Sequence, residues 1–175
     1  YEVMKKAGRI VIMGTAGLGD GNVTPVAEFN IWQDAEAAKI VTESGLDNII
    51  FVGWDACLGD CMLNPKEIKE IRESGKLGKF VIDCNKNLLE MNRERFGDDY
   101  LDMADPSAMS AALYPECIEK CEKYYCEVDV SAGPSYGAVL VDVNNVTGKE
   151  PNVYICSKLY ADKYKEYIYR TLKVK

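Results

Sequence analysis

The sequence predicts an α/β fold, with a mostly parallel central sheet, flanking helices and a small β addition late in the chain. Three observations predict it. Two short apolar runs, at 9–14 and 48–53, have the character of strands buried on both faces. A capped helical segment lies between them, and that order implies a right-handed crossover within a parallel sheet. After residue 113 the helical periodicity gives way to short β-like runs between turn residues. A length of 175 residues suits one domain with a proper core, so residues 1–175 are read as a single domain.

The elements follow in order. Arg9-Ile10-Val11-Ile12-Met13-Gly14 reads as a buried parallel strand. A loop over 15–21 with three glycines follows. Asp34 is placed to N-cap a helix over 35–44, with Ala38 and Val41 on one face and Gly45 as its stop. The second strand is 48–53. Asn64-Pro65 opens a helix to about 74, since proline at the first helical position costs no hydrogen bond. A further helix is predicted over 78–95, an acidic loop over 97–105, and a helix from Pro106 to Leu113. Short strands are predicted at 124–130, 138–143 and 153–157, and a last helix at 161–173.

Composition narrows the function classes. Apolar residues make up 47% and charged residues 28%, a globular balance. The net charge is −7 with no basic stripe, which argues against nucleic acid as a partner. No apolar run approaches a membrane span, and the first residues carry no signal-peptide pattern, so a cytoplasmic location is expected. Tyr1 stands where an initiator Met would, so a fragment or processed product is expected. The chain has no histidine, which removes Ser-His and Cys-His hydrolase mechanisms and most catalytic zinc sites. Acid–base chemistry must then use carboxylates, Tyr, Lys or Cys.

Seven cysteines make a complete disulfide framework unlikely and reduced thiols the simpler reading. Cys57/Cys61 and Cys117/Cys121 are each four apart, a spacing that shares one face if the segments are helical. Small buried hydrophobes are the default for these residues, with a four-cysteine zinc site as the alternative.

Two stretches invite a chemical reading. The glycine-rich loop after the first strand lacks the Gly-Lys-Ser/Thr ending of a P-loop and does not fit G-x-G-x-x-G. Its glycines fit close approach of backbone to a ligand instead. Next, Asn22, Glu28 and Asn30 place two carboxamides and a carboxylate within nine residues. Such groups accept and donate to the hydroxyls of a sugar, and Glu28 and Asn30 would point the same way in an extended segment. The alternative is that Asn22 shapes a turn and Glu28 is solvated.

Met13-Gly14, then Gly21-Asn22-x-Thr24-Pro25-x-Ala27-Glu28-Phe29-Asn30 and Asp34-x-Glu36-Ala37-Ala38, resembles the central signature of the inosine-uridine-preferring nucleoside hydrolases. Asp105-Pro106-x-Ala108 resembles that family's second signature, and the segments at 131–142 and 151–153 are similar to its late strands. The resemblance implies hydrolysis of the N-glycosidic bond of ribonucleosides to ribose and free base, assisted by a bound Ca²⁺. It implies that Asn22, Glu28 and Asn30 hold ribose hydroxyls, that Met13 lines the ribose site, and that Asp105 is a Ca²⁺ ligand.

Two departures accompany it. Ala104 stands where many members carry a histidine that protonates the leaving base, and Tyr100, Tyr124 and Tyr125 are candidate substitutes. The Asp-rich motif that opens the family's N-terminal portion is absent as well, so the chain resembles the C-terminal half of the enzyme and its sheet is expected to be incomplete at the N-terminus. The expected partners are a ribonucleoside and either further copies of the chain or the missing half. The expectation for this chain alone is neither tight Ca²⁺ binding nor turnover. A catalytically degenerate nucleoside-binding relative is the competing reading.

Overall fold

The computed structural model describes residues 2–174. Its central sheet has four strands: β1 (Ile10–Met13), β2 (Ile49–Val52), β3 (Ile118–Tyr124) and β6 (Val153–Leu159), in the order β1-β2-β6-β3. β1 pairs β2 and β2 pairs β6 in parallel, while β3 closes the far edge antiparallel to β6. A separate antiparallel pair joins β4 (Cys126–Val128) to β5 (Val139–Val141), the late β addition.

Both faces of the sheet are covered, as a parallel sheet requires. One face packs into a core around Leu63, Ile71, Leu101 and Tyr164. The other packs Ile49, Phe51 and Ile155 against Ile31 and Ala35. Within the chain, the outer edge of β1 pairs no other described strand.

The helices begin where local chemistry provides a cap. α2 (Ala35–Thr42) starts at Asp34, whose Oδ1 accepts from Ala37 N at 2.9 Å. Gly45, at φ 72°, follows the end of α2 as expected. α3 (Pro65–Glu73) has a full capping box between Asn64 and Glu67. α7 (Ala161–Leu172) closes the chain against the first core.

Four expectations are corrected. A short helix, α1 (Phe29–Gln33), occupies the stretch in which an extended backbone would have pointed Glu28 and Asn30 the same way. The helix predicted over 78–95 is two, α4 (Lys76–Cys84) and α5 (Lys86–Phe96), broken at Asn85, whose side chain turns back to Val81 O at 2.8 Å. The helix expected at Pro106 starts earlier, as α6 (Ala104–Leu113), with Pro106 tolerated in the first turn because no intrahelical donor is needed there. The strand expected at 124–130 divides between β3, which begins at Ile118, and β4.

Candidate functional site

A cavity of about 400 Å³ lies beyond the carboxyl ends of β1 and β2, where ligands bind in open α/β sheets. Met13 ends β1 and Trp54 follows β2; Glu28 and Asn30 come from the start of α1, and Asp105 from the first turn of α6. Asn22 and Ala104 line the same space. The structure therefore brings together Met13, Asn22, Glu28, Asn30, Ala104 and Asp105, across some 90 positions of chain.

Glu28 is the best anchored of them. It is 2% exposed, not solvated, and it N-caps α1 by accepting from Asn30 N at 3.0 Å and Ile31 N at 3.4 Å. Thr15 N is a third donor. Burial nevertheless raises the Glu28 pKa, with a smaller contribution from the nearby charge of Asp105. Thr15 adopts φ 74°, a region that β-branched residues rarely enter. Its carbonyl accepts from Trp54 N at 2.9 Å, so the strained residue ties the β1 and β2 ends together behind the cavity.

The carboxamides are partly committed. Asn22 Oδ1 accepts from Phe29 N at 2.9 Å, which leaves its amide group as a donor. Asn30 Nδ2 donates to Met13 Sδ at 2.9 Å, leaving its carbonyl oxygen as an acceptor. A side chain at position 21 would collide with the backbone of Thr24 and Ala27, so Gly21 is required for the loop to close on itself.

Sequence reasoning missed the opposite wall. Trp54 Nε1 donates to Asp102 Oδ2 at 2.9 Å, and Asn92 Nδ2 donates to Asp102 Oδ1 at 2.6 Å. All three residues are buried. Their sequence separations are too large for local periodicity, and only the tertiary fold unites them. Asn22, Phe29, Trp54, Leu88 and Asp102 also line an adjoining space of about 660 Å³ that runs on to Met91 and Arg95. Arg95 Cζ sits 4.5 Å from the centroid of the Trp54 ring, a cation–π arrangement.

Beneath the glycine-rich loop, Asp55 Oδ2 accepts from Leu18 N at 2.9 Å, while its buried Oδ1 has no partner. Burial pushes the Asp55 carboxyl up to about 6. Gly17, at φ 75°, lies where any side chain would overlap that carboxylate.

None of Tyr100, Tyr124 and Tyr125 lines the cavity. Tyr124 donates to Glu122, and Tyr125 donates to Glu127 at 3.0 Å. Cys57 and Cys61 fall in separate single turns, and Cys117 and Cys121 in a turn and a strand, so neither pair shares a helix face. No group of three His, Cys, Asp or Glu side chains among the described residues converges on a metal-sized site. Ca²⁺ takes roughly six to eight oxygens. Asp105 offers one carboxylate, fewer oxygens than that ion takes.

A family model described as inosine-uridine preferring nucleoside hydrolase matches residues 1–166. The pyrimidine-specific ribonucleoside hydrolase RihB of Escherichia coli O1:K1 / APEC is 34% identical over 154 residues, which cover 87% of this chain and 48% of that protein. The chain thus spans about half the length of that relative. Among solved structures, the plant nucleoside hydrolase PpNRh1 superposes with a TM-score of 0.85 at 25% identity, covering 97% of this chain and 55% of the other. A purine-preferring ribonucleoside hydrolase from Gardnerella vaginalis gives 0.79 at 28% identity, covering 95% and 52%. No described helix is long and apolar enough to cross a membrane. With sequence, fold and cavity in agreement, the chain belongs to the inosine-uridine preferring nucleoside hydrolase family.

Proposed function

We propose that this chain supplies the ribose- and base-facing walls of a site that hydrolyses the N-glycosidic bond of ribonucleosides, giving ribose and free base. The observation that carries the reading is the pairing of Glu28 and Asp105 in one cavity with the carboxamides of Asn22 and Asn30. The relatives are named for opposite base preferences, pyrimidine and purine, so ribose is the element their substrates share. It is also the element that these four side chains suit.

Glycosidic cleavage builds positive charge on the sugar ring. Two carboxylates lining the cavity stabilise that charge more than they stabilise the neutral substrate. Asn30 and Asn22 hold hydroxyls, and Met13 packs against the ring. The base lies toward Trp54, Phe29 and Leu88, where the guanidinium of Arg95 can donate to its carbonyl oxygens. Asp105 would be one carboxylate ligand of a bound Ca²⁺, with further ligands supplied from outside this chain.

The free edge of β1 is where a further strand joins, from another part of a longer polypeptide or a second chain. The seven unpaired thiols suit a reducing, cytoplasmic setting.

A second reading, a nucleoside-binding relative without turnover, is favoured by one observation: Ala104 puts no proton donor beside Asp105. Release of base from uridine and inosine, with and without Ca²⁺, separates the two. It is measured on this chain and on a longer polypeptide that carries it, beside calorimetric titration of the same ligands. Turnover by the longer polypeptide and not by this chain alone is expected. Binding without turnover in either supports the second reading, and neither binding nor turnover defeats both.

A further inference from the structure

Five of the seven cysteines are buried and all are free, yet two of them face each other. Cys121 on β3 and Cys156 on β6 are direct partners in the antiparallel ladder. Directly opposed residues project from the same face with Cβ atoms about 4.5–5.5 Å apart, a separation that a small backbone adjustment brings within disulfide reach. The register shifts on the N-terminal side of Cys121, between Ile118 and Lys120 and between Lys120 and Cys121, so that side of the pairing is already irregular and can give.

The two thiols are not equivalent. Cys156 is fully buried in the middle of the sheet, whereas Cys121 lies half-buried on the edge strand. A hydrogen bond from the Cys156 thiol holds Cys121 below the ordinary thiol range. The same contact, with burial, pushes Cys156 up. The accessible member is therefore the better nucleophile, and the buried one is positioned to resolve. The cluster is not a metal site, because no three ligating side chains converge among the described residues.

We propose that Cys121 and Cys156 form a redox pair that closes to a cross-strand disulfide in the presence of a low-molecular-weight disulfide of the glutathione class. The Cys121 thiolate attacks one sulfur of glutathione disulfide, breaking its S–S bond and releasing one glutathione thiolate. Cys156 then gives up its proton to solvent and attacks Cys121 Sγ, which expels the second glutathione thiolate. Two protein thiols lose two electrons in total, and glutathione disulfide gains them to become two glutathione molecules after protonation. The bond ties the edge strand to the strand whose Cys156 carbonyl accepts from Gly53 N at 3.1 Å, the residue before Trp54. The lock thus lies directly behind the cavity wall.

The test treats the native chain, in a Cys84→Ser background that removes the exposed thiol, with glutathione disulfide. Tryptic cleavage at Lys120, Lys123, Lys149 and Lys158 places Cys121 and Cys156 on separate peptides, each free of Cys117. Expected are the loss of two thiols per chain and a mass corresponding to the Cys121–Cys156 peptide pair, reversed by dithiothreitol. Cys156→Ala should trap glutathione on Cys121, and Cys121→Ser should leave Cys156 unmodified in the folded chain. A link through Cys61 or Cys117 instead, a mixed disulfide that persists on Cys121 with Cys156 present, or no reaction at all would overturn the proposal.

Discussion

The two walls of the cavity are held by different means. On the β1–α1 side, Glu28 is fixed by three backbone donors, and the strained Thr15 and the Asp55 carboxylate brace the loops that carry it. On the α5 side, Asn92 is buried and reaches Tyr100 O and Asp102, while Phe80 and Met91 on α4 and α5 are about two-thirds exposed. One wall is built into the backbone, and the other leans on one side-chain network. Under the proposed function, that difference would keep the sugar end rigid and let the base end adapt to rings of different size.

Removing Glu28 tests the rigid wall most severely. Glu28→Ala leaves three backbone donors without their acceptor and should cost about 3 kcal/mol in urea unfolding. Asp55→Asn should act in the other direction, and only above acid pH. Asp55 is raised from 3.8 to about 6, so its favourable contribution is complete below pH 3.8 and is lost as pH rises through 6. The substitution should remove about 2 kcal/mol of that pH dependence, seen by comparing unfolding at pH 4 and pH 7. If the unfolding stability of the native chain is already flat across that range, the Asp55 carboxyl is not buried against the loop in this way.

Much of the rigid wall was legible in the sequence. Asp34, Gly45 and Asn64-Pro65 mark helix ends through purely local chemistry, and the motif from Gly21 to Asn30 named the cavity residues. α1 was missed because it is only five residues long and is capped by a glutamate, an unusual N-cap. β3 was misplaced because Ile118–Tyr124 is mostly polar, as an edge strand can be, and lacks the apolar run that marked β1 and β2. The adaptable wall was illegible for a different reason. Nothing local to Trp54, Asn92 or Asp102 signals their meeting.

Two smaller effects sharpen the contrast. Asn92→Ala should cost about 1–2 kcal/mol and speed amide exchange in α5, while exchange in α1 stays as it was. Equal loosening of both helices would show that the walls are not independent. Arg95→Met should change stability by less than about 0.5 kcal/mol, since the guanidinium is exposed and lies over the Trp54 and Phe96 rings, yet weaken nucleoside binding several-fold without affecting free ribose.

Hydroxyl recognition by the rigid wall is the centre of this account, and calorimetric titration of uridine against 2′-deoxyuridine tests it most directly. A site built to hydrogen-bond a hydroxyl rejects the analogue that lacks it, because its polar groups are left unpaired. Uridine should bind at least about tenfold more tightly, and Asn30→Ala should shrink that ratio while leaving the fold intact. Equal affinities for the two nucleosides, or a ratio that Asn30→Ala leaves unchanged, would contradict the assignment of this wall to the sugar.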